Sequence, residues 1–197
     1  MSSIRFATFP RTESPAEFLR ELVAVFERHE ADISTRNPAK GLTSDEVLTL
    51  LRPDLVELGF QVEAGKRSEQ KIRRPVFFGE NAQPSLQYEI DAWHPEWRAG
   101  LEVEAGRAWM GNAVYRDLIQ ALVMVDLQHL VLTVPNSYRY KTGGRNVTRT
   151  TTTTPSPWLM RSLGTRVSKC HSPCASSDIS RSNYHIWYGS RFVLGKY

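Results

Sequence analysis

Asp91, Glu102 and Glu104 are the residues of this chain whose types and spacing can do chemistry. With Glu89 they fall in the stretch "YEIDAWHPEWRAGLEVEAG", Tyr88 to Gly106. If Leu86–Trp93 and Gly100–Ala105 pair as an antiparallel hairpin around "HPEWRA", alternation buries Tyr88, Ile90, Ala92, Leu101, Val103 and Ala105 together. Glu89, Asp91, Glu102 and Glu104 then share the opposite face, and the most symmetric register sets Asp91 across from Glu102 and Glu89 across from Glu104. Opposed side chains have Cβ atoms about 5 Å apart, and at an effective dielectric of about 20 two charges at that distance repel by roughly 3 kcal/mol. Such a face needs water, a proton or a cation. A hard divalent cation held by carboxylate oxygens is the remedy that also does chemistry. Acids on an exposed hairpin face are also ordinary, so a merely solvated face is the competing reading, with Trp93 and Trp97 as structural anchors at a sheet end.

The elements around the hairpin must position it. Residues 15–36 carry Phe18, Leu22, Val25, Phe26 and Ile33 at helical spacing, with Ser14, Pro15 and Glu17 as N-cap, first-turn proline and capping-box acid. A second helix follows "NPAKG", capped by Thr43 and Glu46, with Val47, Leu50, Leu51, Leu55 and Leu58 apolar and Pro53 expected to kink or break it. After Gly59 the period switches to two, and "FQVEA", "RRPVFFG", "LQYEIDAW" and "GLEVEAG" read as strands. Gly111 to Gln128 reads as a helix with Asn112 as N-cap and Val114, Leu118, Leu122 and Val125 buried, and "HLVLTVP" as a central strand covered on both sides. The expected fold is therefore α/β, a mixed central β-sheet flanked by helices, over residues 1–140.

Residues 141–197 are expected to form an irregular basic tail, disordered or weakly structured, because "TRTTTTTPSP" and the residues after it show neither period. A shifted reading frame is one origin for such a tail, and resequencing the source DNA would test it. The chain's net charge of +4 resides there. From Lys141 onward there are nine Lys or Arg and one acid, Asp178, so residues 1–140 hold 25 − 9 = 16 basic and 21 − 1 = 20 acidic side chains. Global charge thus makes no case for nucleic acid in the folded part, and only local clusters can. One such cluster is "KRSEQKIRR", with Lys66, Arg67, Lys71, Arg73 and Arg74 just before the hairpin; its competing reading is a solvated turn. Arg107 follows the acids and could reach a phosphate, whereas Arg116 and Asp117 read as surface decoration of the next helix. Cys170 and Cys174, with His171 between them, lack a second ligand pair and read as incidental thiols. His29, His94 and His129 have no paired ligand spacing and read as structural or surface residues. The amino terminus lacks the apolar core of a signal peptide and Leu118–Leu127 is too short to span a bilayer, which points to a cytoplasmic protein with no membrane partner.

Asp91, a gap, then Glu102-Val103-Glu104 in an apolar strand, followed by a helix and "HLVLTV", resembles the PD-(D/E)XK nuclease superfamily, and within it the BamHI/BglII-like restriction endonuclease branch with a D…ExE motif. The resemblance covers roughly residues 40–135. It implies a restriction-endonuclease-like fold and Mg²⁺- or Mn²⁺-dependent hydrolysis of a DNA phosphodiester, as in a type II restriction enzyme or a stand-alone relative. It further implies Asp91, Glu102 and Glu104 as catalytic residues and Asp91, Glu102 and the Val103 carbonyl as metal ligands. Glu104 stands where the superfamily usually has lysine; a glutamate there would accept the water's proton or hold a second metal. An assisting acid from a helix would be Glu57 or Glu46. The partner implied is double-stranded DNA, and a specific double-strand cutter would commonly be a symmetric homodimer. The alternative is a nuclease-fold protein that has lost catalysis and serves as a nucleic-acid-binding or interaction module.

Overall fold

The computed structural model describes residues 4–9, 14–34, 41–105, 113–135, 137–143, 145–150 and 184–190. In chain order these form β1 (Ile4–Phe9), α1 (Phe18–Arg28), the single turn α2 (Glu30–Ile33), α3 (Ser44–Glu57), β2 (Gln61–Val62), β3 (Ile72–Phe78) and β4 (Pro84–Ile90). They continue with β5 (Ala92–His94), β6 (Ala99–Val103), α4 (Ala113–Val123), β7 (His129–Pro135), β8 (Ser137–Thr142), β9 (Arg145–Thr150) and β10 (Tyr184–Ser190). Six strands make one sheet in the order β1-β10-β7-β6-β5-β2, while β3–β4 and β8–β9 are separate two-stranded ribbons. The β1/β10 and β6/β7 pairs are parallel and the other pairs in the large sheet antiparallel, so the sheet is mixed, as expected.

Helices cover both faces. Because strand side chains alternate, Ala92, Leu101 and Val131 face one way, onto Leu19, Leu22 and Phe26 of α1 and Leu51 and Leu55 of α3. Their neighbours Trp93 and Leu130 face the other way, onto Ala121 of α4, Met124 just past its end, and Val76 and Ile90 of the β3–β4 ribbon. Gly100 belongs to this second face. A Cβ there would stand 2.2 Å from Ile90 Cδ1 and 2.6 Å from Leu127 Cδ1. Gly100→Ala is therefore expected to destabilise the fold by about 1–3 kcal/mol, read as a lower urea midpoint at unchanged slope.

Local chemistry explains most element ends and corrects some expectations. Thr43 and Glu46 form the capping box of α3, with Thr43 N–H donating to Glu46 Oε2 at 2.7 Å and Glu46 N–H to Thr43 Oγ1 at 3.2 Å. Pro53 does not break α3; it lies on the exposed side, where water can meet the carbonyl its missing N–H leaves. The first helix starts at Phe18 rather than from a Ser14 cap, since Ala16 and Glu17 already accept the first turn's N–H groups, and it breaks at His29. Among the described side chains of α4, Asp117, Leu118 and Ala121 are buried, as is Met124 just past its end, and Leu122 is exposed. The tail is not wholly irregular: β9 lies in it, and β10 sits between β1 and β7. Residues 151–183, with Cys170, His171 and Cys174, lie outside the described residues. Among the described residues no helix is long and apolar enough to cross a membrane.

Candidate active site

The strand expected over "LQYEIDAW" is two strands, parted at Asp91. β4 leaves to pair with β3, with Glu89 opposite Arg73, so Glu89 does not face Glu104 as expected. β5 stays in the main sheet, with Ala92 paired to Leu101 and Trp93 to Gly100. One step further this register sets Asp91 across from Glu102, as expected. Side-chain competition explains the break: Asp91 Oδ2 accepts the Val103 N–H at 2.8 Å, where a continuing strand would have offered a backbone carbonyl, and the Asp91 carbonyl accepts Glu63 N–H at 2.8 Å.

The end of β6 is fixed on both sides. Glu104 N–H donates to the Thr133 carbonyl at 2.9 Å, Thr133 Oγ1 to the Glu102 carbonyl at 3.2 Å, and Ala105 N–H to Ser44 Oγ at the start of α3 at 3.1 Å. With Val103 and Ala105 held in the α1/α3 core, Glu102 and Glu104 turn toward α4. There they meet Asp117, which is 4% exposed. Asp117 Oδ1 accepts from Arg116 Nε at 3.0 Å, while Oδ2 is buried and meets no N–H or hydroxyl donor. Arg116 and Asp117 thus belong to the site and are not helix decoration.

Crowding raises every acid of the motif. Burial foremost, then the charges of Glu63 and Asp117, pushes Asp91 up to about 6 against the lowering effect of the Val103 N–H. Glu102 is raised well above the usual carboxylate range by burial and then by Asp91, Asp117 and Glu104. Glu104 is pushed up to about 7 by burial, by the Asp117 charge and by a hydrogen bond between the two carboxyls. A proton held between two carboxyls keeps like charges together at neutral pH.

Asp91, Glu102 and Asp117 line a cleft of about 490 Å³ with Glu63, Lys71 and Glu89. The sequence reading missed Glu63 and treated Lys71 only as part of a basic run. Glu63 is 7% exposed, and Lys71 Nζ donates to its Oε1 at 2.5 Å and stands 3.8 Å from Glu89 Oε2. The Glu63 hydrogen bond, opposed by burial, raises the Lys71 pKa, so the ammonium stays charged. Glu46 is engaged in its capping box, and Glu57 lines a different cavity beside Arg28 and Asp54, so neither stands at the cleft.

Only part of the basic cluster reaches this place. Lys71 and Arg73 form cleft wall, with Arg73 held by Ser68 Oγ at 2.9 Å and Glu89 Oε1 at 3.4 Å. Lys66 pairs with Asp45 at 3.4 Å, Arg67 is exposed away from the cleft lining, and Arg74 binds Asp126 and lies 4.1 Å over the Trp93 ring. Arg107 lies outside the described residues. The histidines are structural: His94 Nε2 donates to the Leu58 carbonyl at 3.0 Å and Nδ1 accepts Trp97 N–H at 3.1 Å, His29 bonds Asp54 at 3.1 Å, and His129 packs edge-on to Phe18.

The donor chemistry fits a hard divalent cation. The side-chain donors gathered here are oxygens, and Asp91, Glu102 and Glu104 are all pushed above the usual carboxylate range, by burial first and then by the charge of neighbouring carboxylates, for want of another positive charge among them. The Val103 carbonyl leaves β6 on the side of its own N–H, toward Asp91. Among the described residues no three His, Cys, Asp or Glu side chains stand at coordination spacing; Asp91 Oδ2 is turned to the Val103 N–H. Comparison with protein-family models, curated proteins and solved structures finds no match in any of the three.

Proposed function

We propose that the protein is a metal-dependent DNA endonuclease hydrolysing phosphodiester bonds. The observation that carries the reading is the strand break at Asp91, which sets this carboxylate across from Glu102 at the floor of a cleft that also contains an ammonium, Lys71. A solvated acidic face has no need of a cleft, nor of acids desolvated enough to hold protons near neutral pH.

Asp91, Glu102 and the Val103 carbonyl would hold Mg²⁺ or Mn²⁺. The bound ion would supply charge for the phosphate and lower the pKa of the attacking water. Glu104, poised at about 7, would take the proton from that water. Lys71, fixed by Glu63 in the cleft lining, would meet a phosphate oxygen. Duplex DNA and a homodimer matching a palindromic site remain parts of this proposal.

A second reading, a nuclease-fold module that binds without cutting, is favoured by Glu104 in the usual place of lysine and by the internal pairing of Lys66 and Arg74. Calorimetric titration of Mg²⁺ and Mn²⁺, with supercoiled plasmid nicking assayed in the same samples, separates the two. Binding with nicking is the expected result. Binding without nicking would favour the second reading, and no binding would return the acids to a solvated face.

A further inference from the structure

The basic cluster before the hairpin is mostly engaged by this protein's own acids. Lys66, Lys71, Arg73 and Arg74 pair with Asp45, Glu63, Glu89 and Asp126 in turn. The ribbon β8–β9 is built differently. From Ser137 to Thr150 the chain carries Arg139, Lys141, Arg145 and Arg149 and no Asp or Glu, and the nearest acids along the sequence are Asp126 and Asp178. The register pairs Arg139 with Thr148, Lys141 with Asn146, Arg145 with Thr142 and Arg149 with Tyr138. No cation of the ribbon therefore has a carboxylate as its cross-strand neighbour, and strand alternation gives each face two of them. A two-stranded ribbon is marginal in water by itself, and four like charges weaken it further. A polyanion laid along it removes that repulsion.

The sheet sets where the ribbon is rooted. β6 and β7 are parallel, Glu102 beside Leu132 and Val103 beside Thr133, and Glu104 N–H donates to the Thr133 carbonyl, so both strands run out at the same end of the sheet. β8 begins at Ser137, four positions past Thr133, a span of at most about 14 Å. The ribbon thus springs from the end of the sheet that carries Glu102 and Glu104. With six residues in each strand it extends for about 20 Å, and a two-stranded ribbon is of a size that a duplex groove admits.

We infer that β8–β9 is a duplex-binding arm, whose four cations meet phosphates of a DNA backbone lying beside the acid cleft. The inference rests on the endonuclease reading for its partner, and it adds to that reading the surface that holds the substrate. Contacts to phosphate position the duplex and carry no sequence preference.

The test is binding of a fluorescein-labelled DNA duplex of mixed sequence to the full chain in EDTA, read by anisotropy over a KCl series, with a duplex RNA of the same sequence beside it. Arg139→Gln with Lys141→Gln, and separately Arg145→Gln with Arg149→Gln, should each lower the slope of log affinity against log salt by about 1.8 and weaken DNA binding roughly fiftyfold at about 0.1 M KCl. Either pair carries the test should the other fail to fold by circular dichroism. Arg145→Lys with Arg149→Lys keeps the charge and should keep the slope. Glutamine pairs with the wild-type slope overturn the arm, as does a lysine pair that loses the slope, a loss confined to RNA, or a wild type that binds no duplex. Mn²⁺-dependent plasmid nicking by the wild type judges the endonuclease reading separately: nicking beside unchanged slopes leaves that reading standing without the arm.

Discussion

Asp91→Asn is expected to lower Mg²⁺- or Mn²⁺-dependent plasmid nicking by about a hundred- to a thousandfold, the scale on which losing one preorganised electrostatic contact is felt in a desolvated site. The asparagine is the informative change because its side-chain oxygen can still accept the Val103 N–H, now met at 2.8 Å by Asp91 Oδ2. The strand break and the placing of Glu102 then survive, and only the charge is lost. Asp91→Ala would instead leave that N–H without its acceptor, at about 1–3 kcal/mol, and would confound loss of chemistry with loss of structure. Nicking rates with saturating Mn²⁺, set beside thermal unfolding in chelator no lower than the wild type's, decide the matter. A variant that nicks like the wild type removes Asp91 from the reaction.

Stability in chelator should fall as pH rises, the reverse of the usual behaviour of salt-bridged acids. Asp91 is held at about 6 in the fold against 3.8 for the unperturbed group, and Glu104 at about 7 against 4.5. Between the unfolded and folded values the native state binds more protons than the unfolded chain, so unfolding releases protons and becomes easier at higher pH. The fold is thus most stable below about pH 4, as far as these groups decide it, and loses that advantage between pH 4 and about 7, with the loss complete above the folded values. Asp91 alone accounts for roughly 3 kcal/mol, with Glu102 shifted in the same direction. Saturating Mn²⁺ should reverse the trend, since ligands must be deprotonated to bind. Urea midpoints at pH 5 and pH 8, with EDTA and with Mn²⁺, give the measurement, and Glu102→Gln should flatten the slope in EDTA. Stability that rises with pH in EDTA would mean the acids are ionised and solvated in the fold.

The parts of this arrangement legible in the sequence are those set by local periodicity. Alternation in "GLEVEAG" fixed which residues of β6 turn inward, and the parity argument reached the Ala92–Leu101 pairing found in the sheet. The Thr43 and Glu46 cap was legible because both its donors and acceptors lie within one turn. The break at Asp91 was not, because it depends on a backbone N–H twelve residues away and on β3 competing for β4. Asp117 was misplaced for a related reason. Helical spacing and hydrophobicity point to Val114, Leu118, Leu122 and Val125 as the inward face. The structure buries Leu118 but leaves Leu122 exposed, and it turns Asp117, Ala121 and Met124 inward, where the small Ala121 and pliant Met124 fit over the sheet and Asp117 reaches the cleft. Glu63 and Lys71 meet across a turn whose path neither period describes.

The position of β10 has a consequence for how the chain reaches this state. Among the described residues the first strand pairs only with β10, Ile4 against Tyr184 and Phe9 against Gly189, and β7 is closed on that side by the same strand. During synthesis, α1, α3, α4 and the strands from β2 to β7 all emerge before the strand that joins β1 to them. Until β10 arrives, β7 presents a row of unpaired backbone groups, an apolar edge of the kind that recruits another chain. Contacts so distant in sequence also slow the search for the native pairing, because loop closure precedes its reward. A chain stopped before Tyr184 would carry every acid of the motif and still lack its closed sheet, so such a fragment is expected to collect in aggregates.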